Sequence, residues 1–364
     1  MKKFDKIFFS NTIISWQKKY GRHMLPWQNT KNTYYIWLSE IMLQQTQVNT
    51  VIPYYQRFLK KFPNIMSLAQ AKLENVMELW SGLGYYSRAR NLHICAKLVF
   101  FKYNGIFPKN FISLINLPGI GQSTASAIRV FAYGKRNAIL DGNVKRILIR
   151  VLGINCSLNI KFIEKKLWRY AIDLLPKKNI EIYTQGLMDF GSIICKKIKP
   201  KCKVCPLQLC CISYKTNKIN NFLIKNKKNI KNCSIIMFIV IDDDYVLFQK
   251  RSNKGIWGGL LSFPEWILKD KIINFVDNNL KNLIELEIKK FISSFGFIKN
   301  YLILPIISHK LTHLQFKIVP CHIFLKKCFL KENKNNFIWY PIKKIKNSPI
   351  PAPVRKILFQ IIQR

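Results

Sequence analysis

Acidic residues are scarce in this sequence. Its 364 residues include 18 Asp and Glu against 60 Lys and Arg, so the formal net charge is +42 at pH 7. A field of that sign attracts polyanions, and it favours nucleic acid over an anionic membrane as the partner. Charge alone leaves the partner open, because 48 of the 60 cations are Lys in a chain that is also rich in Asn, Ile and Phe, as an AT-rich genome would produce.

Long apolar segments are also missing. No run of about 18 apolar residues occurs, so no membrane span is expected. Polar residues interrupt the N-terminal MKKFDKIFFSNTIISWQKKYG, where a signal peptide would need an apolar centre. We therefore expect a cytoplasmic protein whose ten Cys stay reduced. In that compartment, clustered thiols bind a metal more often than they form disulfides.

The spacing of apolar residues divides the chain into two domains and a linker. Helical spacing dominates the first 212 residues. The Lys- and Asn-rich stretch KTNKINNFLIKNKK lacks such spacing, and CSIIMFIVI and YVLFQKR after it have the composition of strands, joined by an Asp-rich hairpin. We predict an all-α domain over 1–213, a basic linker over 214–232 and an α+β domain over 233–364.

Four thiols lie within 17 residues, in the pattern Cys195-x6-Cys202-x2-Cys205-x5-Cys211. Four thiolates bind either a tetrahedral zinc ion or an iron–sulfur cluster. Zinc usually prefers two short C-x2-C pairs, whereas this segment has one, so the spacing favours iron–sulfur over zinc. Cys210 competes with its neighbour Cys211 as the fourth ligand.

A second motif, LPGIG at 117–121, lies between an apolar segment and a helix-like one. Gly119 and Gly121 permit a tight turn whose amide groups point outward at the start of a helix, where they can bind a phosphate oxygen. The pattern is that of a helix-hairpin-helix motif, and the alternative is an ordinary turn between two helices.

Two of the nine acidic residues among the first 212 have chemically useful surroundings. Glu40 lies in the apolar run YYIWLSEIML, where burial favours the protonated form, so it is a candidate proton donor. Asp141 precedes the basic residues Lys145 and Arg146, which favour its anion. One protonated and one ionised carboxyl are what cleavage of a glycosidic bond requires. The alternatives are a satisfied core acid for Glu40 and a helix N-cap for Asp141.

The order and spacing of these motifs resemble the endonuclease III superfamily of DNA glycosylases. Within it, SEIMLQQTQV at 39–48, SGLGYYSRARNLH at 81–93 and LDGNVKRIL at 140–148 resemble the MutY adenine DNA glycosylases. The resemblance implies a monomeric, nucleoid-associated enzyme of base excision repair that removes adenine opposite 8-oxoguanine or guanine from double-stranded DNA. It also implies a 4Fe-4S cluster held by Cys195, Cys202, Cys205 and Cys211.

The same resemblance implies roles for individual residues. Glu40 protonates adenine N7 and then positions or activates water, while Asp141 stabilises the cationic sugar. Bifunctional relatives carry a Lys just after the hairpin that forms a Schiff base with the sugar, and because Ser123 occupies that place no lyase activity is expected. Gln44 and Tyr85 match residues that enter the duplex beside the lesion. The other positions expected to contact DNA or the extruded base are Trp27, Gly119, Gly121, Ser123, Asn143, Lys145 and Gln185.

The second domain resembles a degenerate Nudix fold from VLFQKRSNKGIWGGLLSFPEW onward. A catalytic Nudix box, R-E-x-x-E-E-x-G, carries Mg²⁺ on a Glu-rich helix. For such a helix, the stretch after Trp266 offers only Glu285 and Glu287 and no Arg, so pyrophosphate hydrolysis is not expected. Leu311-Thr312-His313 aligns with the Phe-Ser-His recognition loop of MutY proteins. Ser308-His309 is the alternative register, and a plain turn before a strand is the structural alternative.

Three other functions stay open on the sequence. The nearest is an endonuclease III-like glycosylase that acts on oxidised pyrimidines. A non-catalytic iron–sulfur protein that binds DNA is the second, and the presence of both Glu40 and Asp141 argues against it. A Nudix hydrolase with a DNA-binding appendage is the third, and the missing box argues against that.

Overall fold

The computed structural model describes residues 5–155, 160–219, 230–268, 278–311, 314–328 and 336–362. The chain divides into two compact units, one formed by Met1–Ala71 and Arg88–Asn226 and the other by Lys72–Ser87 and Lys227–Arg364. The second unit therefore includes a short internal segment from the helical half of the chain. The spacing of apolar residues did not indicate that Lys72–Ser87 belongs to the second unit. The end of the helical domain at 213 and the start of the α+β domain at 233 stay a prediction.

Most of the described residues in the first half of the chain belong to α-helices. None of the described helices is both long and apolar enough to span a membrane. Helix α5 and the first residue of α6 belong to the second unit, and the rest to the first. The helices are α1 (Lys6–Tyr20), α2 (Thr33–Leu43), α3 (Val48–Lys61), α4 (Ile65–Gln70), α5 (Leu73–Trp80), α6 (Ser87–Lys102), α7 (Phe111–Ile115), α8 (Gln122–Tyr133), α9 (Gly142–Leu152), α10 (Ile160–Asp173), α11 (Ile180–Ile193) and α12 (Ile212–Lys215).

Local side chains explain where several helices begin and end. Asp5, Asn32 and Asn110 precede α1, α2 and α7, and each side chain accepts hydrogen bonds from backbone N–H groups of the first turn. Helices α8 and α9 end at Gly134 and Gly153, which have φ of 61° and 60°. These left-handed conformations favour glycine, so both ends are set by the sequence.

The core of the helical unit contains residues of α1, α9 and α11. Ile13 of α1, Ile147 of α9 and Tyr183 of α11 are buried in one apolar cluster. The Trp16 indole meets the Phe190 ring edge-on, with centroids 5.1 Å apart and planes at 84°. Because α9 and α11 also carry candidate site residues, this core fixes the position of those residues.

The second unit is built on a mixed sheet with helices. Its described strands are β1 (Lys231–Asp242), β2 (Tyr245–Lys250), β3 (Leu261–Ser262), β4 (Glu265–Leu268), β5 (Gly296–Ile303), β6 (Ile307–Lys310), β7 (Leu314–Cys328) and β8 (Phe337–Pro341), and its later helices are α13 (Asn278–Ile292) and α14 (Ala352–Ile362). Strand β1 pairs parallel with β7 and antiparallel with β2 and β4. Strands β5 and β6 pair antiparallel with β7, while β3 and β8 pair antiparallel with β2.

Helix α13 supplies apolar residues to the core of this unit. Ile288 and Ile292 are buried in one cluster with Ile236 of β1 and Val319 of β7. The turn between β1 and β2 joins Asp242 to its partner Tyr245, as the Asp-rich hairpin predicted. The predicted fold class, an all-α part followed by an α+β part, is confirmed.

Candidate active site

A cleft of about 1740 Å³ opens in the helical unit. Its walls come from α2, the loop before α2, the start of α8, the start of α9, and α11. Nine residues singled out from the sequence line it, namely Trp27, Glu40, Gln44, Gly119, Gly121, Ser123, Asp141, Asn143 and Gln185. The fold therefore brings together in one cavity positions that span most of the helical half of the chain.

Glu40 presents its carboxyl to this cleft from a mostly apolar helix. Trp37, Leu38 and Met42 of the same helix are buried without measurable exposure. No described residue forms a hydrogen bond or ion pair with the Glu40 carboxyl, which argues against a satisfied core acid. Burial raises its pKa to about 8, and the nearby charge of Asp141 contributes to the rise. Glu40 is therefore largely protonated at neutral pH.

Asp141 is both the N-cap of α9 and a residue of the cleft, so the two interpretations of this residue are compatible. Its Oδ1 accepts from the Val144 N–H at 2.8 Å and its Oδ2 from Asn143 Nδ2 at 3.2 Å. Burial raises its pKa, but these hydrogen bonds and the charge of Arg146 oppose the rise because they favour the anion.

Lys145 pairs with another carboxylate and not with Asp141, whose anion it was expected to favour. Its ammonium lies 2.6 Å from the carboxylate of Glu164 on α10. The expectation that Lys145 and Arg146 act together on Asp141 is therefore wrong for Lys145. The two adjacent residues point in different directions around α9, and only Arg146 contributes charge at Asp141.

Arg146 links Asp141 to the start of the cysteine-rich segment. Its guanidinium donates to Asn143 Oδ1 at 2.8 Å, to the Gly191 carbonyl at 2.7 Å and to the Cys195 carbonyl at 2.8 Å. The other end of the Asn143 amide donates to Asp141, so its orientation is fixed from both sides. Gly191 is required here, since a Cβ would lie 2.5 Å from Asn143 Cβ.

Arg150, one turn further along α9, holds the next residues of that segment. It is 2 % exposed, and it donates to the carbonyls of Lys196 at 2.6 Å and Lys197 at 3.1 Å and to Cys195 Sγ at 3.4 Å. Sequence reasoning gave Arg146 a role only toward Asp141 and gave Arg150 none. Their i, i+4 spacing on one helix face was the available signal, but their partners are backbone carbonyls more than 40 residues away.

The LPGIG motif forms the tight turn that its glycines predicted. The Ile120 N–H donates to the Leu117 carbonyl at 3.1 Å, Gly119 has a φ of 81°, and Gly121 is the N-cap of α8. A Cβ at Gly119 would lie 3.1 Å from Asn91 Cβ, so this turn lies close against α6. The turn joins α7 to α8 and forms the hairpin between two helices.

The end of α2 is held beside this hairpin. The buried Arg88 donates to the carbonyls of Ile41 and Gln44 at 3.0 and 2.7 Å, so a cation caps the C-terminal end of α2. The Gln44 amide donates to the Gly119 carbonyl and to Thr124 Oγ1, both at 3.3 Å. The side chain expected to enter the duplex is therefore bonded to the hairpin in this structure.

Gln185 is oriented by a buried charge that sequence reasoning missed. Its Nε2 donates to Asp189 Oδ1 at 3.0 Å. Asp189 has no exposed surface and is paired with Arg22, whose backbone N–H and guanidinium both donate to it. The only advance signal was that acidic residues are rare in this half of the chain. Elsewhere in the cleft, Ser123 Oγ accepts from the Leu140 N–H at 3.1 Å.

The four predicted ligand thiols lie within electrostatic range of one another. The pKa of Cys205 is raised to about 12 by burial, with further contributions from Cys195, Cys211 and Cys202. The pKa of Cys210 is raised to about 11 by burial, and Cys211 is the one thiol that adds to it. By its chemistry, a set of four thiols suits a four-thiolate group. As the described residues are placed, however, no three His, Cys, Asp or Glu side chains among them could hold a metal ion.

Tyr85 and Leu311 belong to the second unit. The Leu311 N–H donates to the Leu314 carbonyl at 2.7 Å, immediately after β6. Ser308 and His309 lie within β6, paired with Lys317 and Phe316 of β7. The other two residues of the predicted recognition loop, Thr312 and His313, lie outside the described residues.

Comparison with known proteins assigns both parts of the chain. Residues 38–171 match the HhH-GPD superfamily of base excision DNA repair proteins, and residues 236–360 match the NUDIX domain. An adenine DNA glycosylase of Buchnera aphidicola subsp. Baizongia pistaciae is 43% identical over 358 residues, which cover 98% of this chain and 97% of that protein. The chain belongs to the adenine DNA glycosylase family.

Solved structures agree with this family assignment. A thermostable thymine-DNA glycosylase has a TM-score of 0.54 and 30% identity, over 58% of this chain and 97% of that one. An endonuclease III–DNA complex has a TM-score of 0.50 at 23% identity, over 59% and 99% of the two chains, which establishes likeness of fold. The resemblance stated from the sequence is confirmed, and this adenine DNA glycosylase family member is a hydrolase of N-glycosidic bonds.

We predict that Arg150→Met exposes the segment after Cys195 to trypsin. The substitution removes the hydrogen bonds to two carbonyls of that segment, and loss of about 1.4 kcal/mol of local stability raises cleavage roughly tenfold. Cleavage at Lys196–Lys203 is measured by mass spectrometry of timed digests.

Arg136→Met is the matched control for this experiment. Arg136 donates to the carbonyls of Leu175 and Pro176 at 2.7 and 3.0 Å, so its loss is chemically similar but affects another loop. Equal cleavage of Lys196–Lys203 in the two variants would contradict the role given to Arg150.

Proposed function

We propose that this protein is a monofunctional DNA glycosylase that hydrolyses the N-glycosidic bond of adenine opposite 8-oxoguanine or guanine in double-stranded DNA. It acts as a monomer on the nucleoid in the cytoplasm. The observation that carries the proposal is the pair of carboxyls in one cleft, of which Glu40 has no donor among the described residues and Asp141 has two. This asymmetry assigns them opposite protonation states, as glycosidic hydrolysis requires.

Glu40 is the proton donor. With a pKa near 8 it carries its proton at neutral pH and delivers it to adenine N7, which makes the base a better leaving group. Once deprotonated, the carboxylate accepts a proton from water that attacks the sugar. The nearby charge of Asp141 supports this role because it disfavours a second anion in the cleft before the reaction.

Asp141 stabilises the positive charge that develops on the sugar. Its hydrogen bonds from the α9 N-terminus and from Asn143 favour the anion against the effect of burial and fix its orientation, so no reorganisation is needed when the cation forms. Arg146 acts through Asn143 and is therefore a positioning residue. Ser123 provides no amine for a Schiff base, which leaves water as the nucleophile.

The base pocket favours adenine through the orientation of Gln185. Because its Nε2 donates to Asp189, its Oε1 is the end available to the cleft. A carbonyl oxygen accepts a hydrogen bond from the adenine N6 amino group, whereas the O6 of guanine would repel it. Trp27, 8 % exposed and edge-on to Tyr55, forms an apolar wall of the same cleft.

DNA is held by the hairpin and by residues that enter the duplex. The amides of the Gly119–Gly121 turn bind phosphate oxygens at the start of α8. Gln44 exchanges its bonds to the hairpin for contacts in the duplex, and Tyr85 enters beside the lesion. Lys145 is paired with Glu164, which partly neutralises its charge. Its attraction to DNA phosphates is therefore weaker than that of an unpaired lysine.

A 4Fe-4S cluster completes the helical unit through Cys195, Cys202, Cys205 and Cys211. A bound cluster would cross-link the segment, because all four of its cysteine ligands belong to that segment. The segment carries five lysines, which repel one another unless they are held on a surface that faces phosphates, namely Lys196, Lys197, Lys199, Lys201 and Lys203. Arg146 and Arg150 hold its first residues on α9.

The Nudix-like unit reads the lesion strand through Leu311, Thr312 and His313. Leu311 follows β6 directly, and its N–H donates to the carbonyl of Leu314, the first residue of β7. The alternative residues Ser308 and His309 are engaged in strand pairing, which favours the Leu311 register. Leu311 wedges between bases, and the Thr312 hydroxyl bonds to the lesion edge.

We predict that the rate of adenine excision falls as pH rises through about 8. The active form of Glu40 is the protonated one, so activity is present below its pKa of about 8 and decreases roughly tenfold per pH unit above it. Single-turnover release of adenine from duplexes with A opposite 8-oxoguanine, measured over a range of pH, shows this decrease in rate. A rate that stays constant to pH 10 would contradict the assignment.

Glu40→Gln and Asp141→Asn are the matched variants for that experiment. Glu40→Gln keeps the size of the side chain and removes the proton. Asp141→Asn keeps the size, removes the negative charge and leaves one acceptor oxygen instead of two. Each variant should slow excision by roughly a hundredfold or more while mismatch binding is retained. Near-normal turnover by either variant would overturn the role of that residue. Borohydride trapping of an enzyme–DNA adduct would indicate lyase chemistry instead.

We predict about four iron atoms per chain in anaerobically purified protein. Metal analysis and the visible absorption of the cluster measure this directly. Cys210→Ser should leave iron content unchanged, whereas Cys211→Ser should lower it. Cys195 and Cys202 both act on the pKa of Cys211, whereas Cys211 is the one thiol that acts on the pKa of Cys210. Stoichiometric zinc without iron would refute the cluster.

We predict that Thr312→Ala combined with His313→Ala reduces the preference for A opposite 8-oxoguanine over A opposite G. Removal of the polar groups that read the lesion affects the 8-oxoguanine substrate selectively, by roughly tenfold for two lost hydrogen bonds. Single-turnover rates on both duplexes measure the preference. Equal losses on both would contradict the recognition role, and selective loss on changing Ser308 and His309 would indicate the other register.

A further inference from the structure

The second unit contains, besides its sheet, the turn that carries Tyr85. Gly82, Gly84 and Tyr85 have φ of 95°, 77° and 49°, so three of four consecutive residues are left-handed. Tyr85 is 45% exposed. A bulky residue adopts this conformation only when its surroundings compensate the strain, so the contacts around the turn determine where the Tyr85 ring points.

Hydrogen bonds brace this turn from within. The Leu83 N–H donates to the Trp80 carbonyl at 3.0 Å, the Trp80 indole N–H donates to the Gly84 carbonyl at 3.1 Å, and the Gly82 N–H donates to the Tyr86 hydroxyl at 3.2 Å. These bonds preserve the shape of the turn. They do not fix the turn relative to the sheet of the same unit, which requires a contact from elsewhere in the chain.

Arg355 of α14 supplies such a contact. Its guanidinium donates to the carbonyls of Ile345 at 3.1 Å, Lys346 at 2.8 Å and Ser348 at 2.9 Å. These carbonyls lie at the end of the 3₁₀ helix Ile342–Asn347, where a cation is favourable. With the guanidinium held on three sides, its Nη2 also donates to Ser81 Oγ at 3.1 Å. Ser81 is the residue at which α5 ends and the turn begins.

Other contacts also hold α5 in this unit. Its apolar face, which includes Trp80, is buried. Lys250 lies 3.0 Å from Glu74, but both side chains are about half exposed, so this pair contributes little to stability. Arg355 adds a direct hydrogen bond from the C-terminal elements to the residue at which the turn begins.

We infer that Arg355 is a positioning residue that fixes the Tyr85 turn on the Nudix-like unit. The unit that reads the lesion thereby also sets where the Tyr85 ring enters the duplex. This inference rests on the proposed function, in which Tyr85 inserts beside the lesion. Arg355 itself is bonded to backbone carbonyls and to Ser81, so its effect on DNA passes through the turn.

The test compares full-length Arg355→Met with Lys356→Met. Lys356 is the exposed neighbour on the same helix, so the control removes equal charge without the Ser81 contact. The probe is a duplex that carries a non-hydrolysable adenosine analogue opposite 8-oxoguanine, and the measurement is its Kd. Arg355→Met should weaken binding roughly tenfold, and Lys356→Met less than about twofold. Arg355→Lys should restore part of the loss, because an ammonium group can still donate but lacks the planar fork of the guanidinium.

A Tyr85→Ala background separates positioning from direct contact. If Arg355 acts through the turn, Arg355→Met should change the Kd of the Tyr85→Ala enzyme by less than about twofold. Equal losses in both backgrounds, or no loss in the enzyme that contains Tyr85, would overturn the inference. Ser81→Ala, expected to cost roughly threefold, tests the same contact if Arg355→Met folds poorly.

Failure of the proposed function gives a different result. If Tyr85→Ala alone leaves both binding and excision unchanged, the insertion role of Tyr85 is wrong, and the inference falls with it. If Tyr85→Ala weakens binding while Arg355→Met and Ser81→Ala do not, the insertion role stands and the positioning role of Arg355 is wrong.

Discussion

The capping of α9 by Asp141 is the interaction on which the active site depends. The helix directs backbone N–H groups at this carboxylate, and its apolar face packs Val144, Ile147 and Val151 into the core. The same helix carries Arg146 and Arg150 to the segment that begins at Cys195. One helix therefore connects the Asp141 carboxylate, the core and the start of the cysteine segment.

A strongly basic protein needs unusual local conditions to keep one carboxyl protonated and another ionised. Glu40 meets the first condition because it projects from an apolar helix with no donor among the described residues. Asp141 meets the second because it accepts hydrogen bonds from a helix N-terminus and an amide. The distant lysines matter little for either, since solvent screens charges beyond about 10 Å. Burial, which raises both pKa values, and the local hydrogen bonds, which oppose that rise at Asp141, therefore matter more than the distant lysines.

Local features of the sequence predicted most of the fold and much of the cleft. Side-chain caps, the LPGIG turn and the Asp-rich hairpin each depend on neighbours within a few residues, so sequence patterns reveal them. The roles of Asp189 and Arg150 depend on partners about 45 or more residues away and left no local trace. Lys145 illustrates the same limit, because its pairing with Glu164 depends on how α9 and α10 pack.

The membership of Lys72–Ser87 in the second unit changes what the Nudix-like part contributes. Apolar spacing identifies α5 as helical but carries no information about which core it joins, because both units offer apolar surfaces. The segment is continuous at both ends with the helical unit, so the two units are joined by three chain crossings, at residues 71–72, 87–88 and 226–227, and not by the linker alone. The residue that begins α6 and the residues that follow Ala71 therefore belong to the second unit, while α4 and the rest of α6 belong to the first.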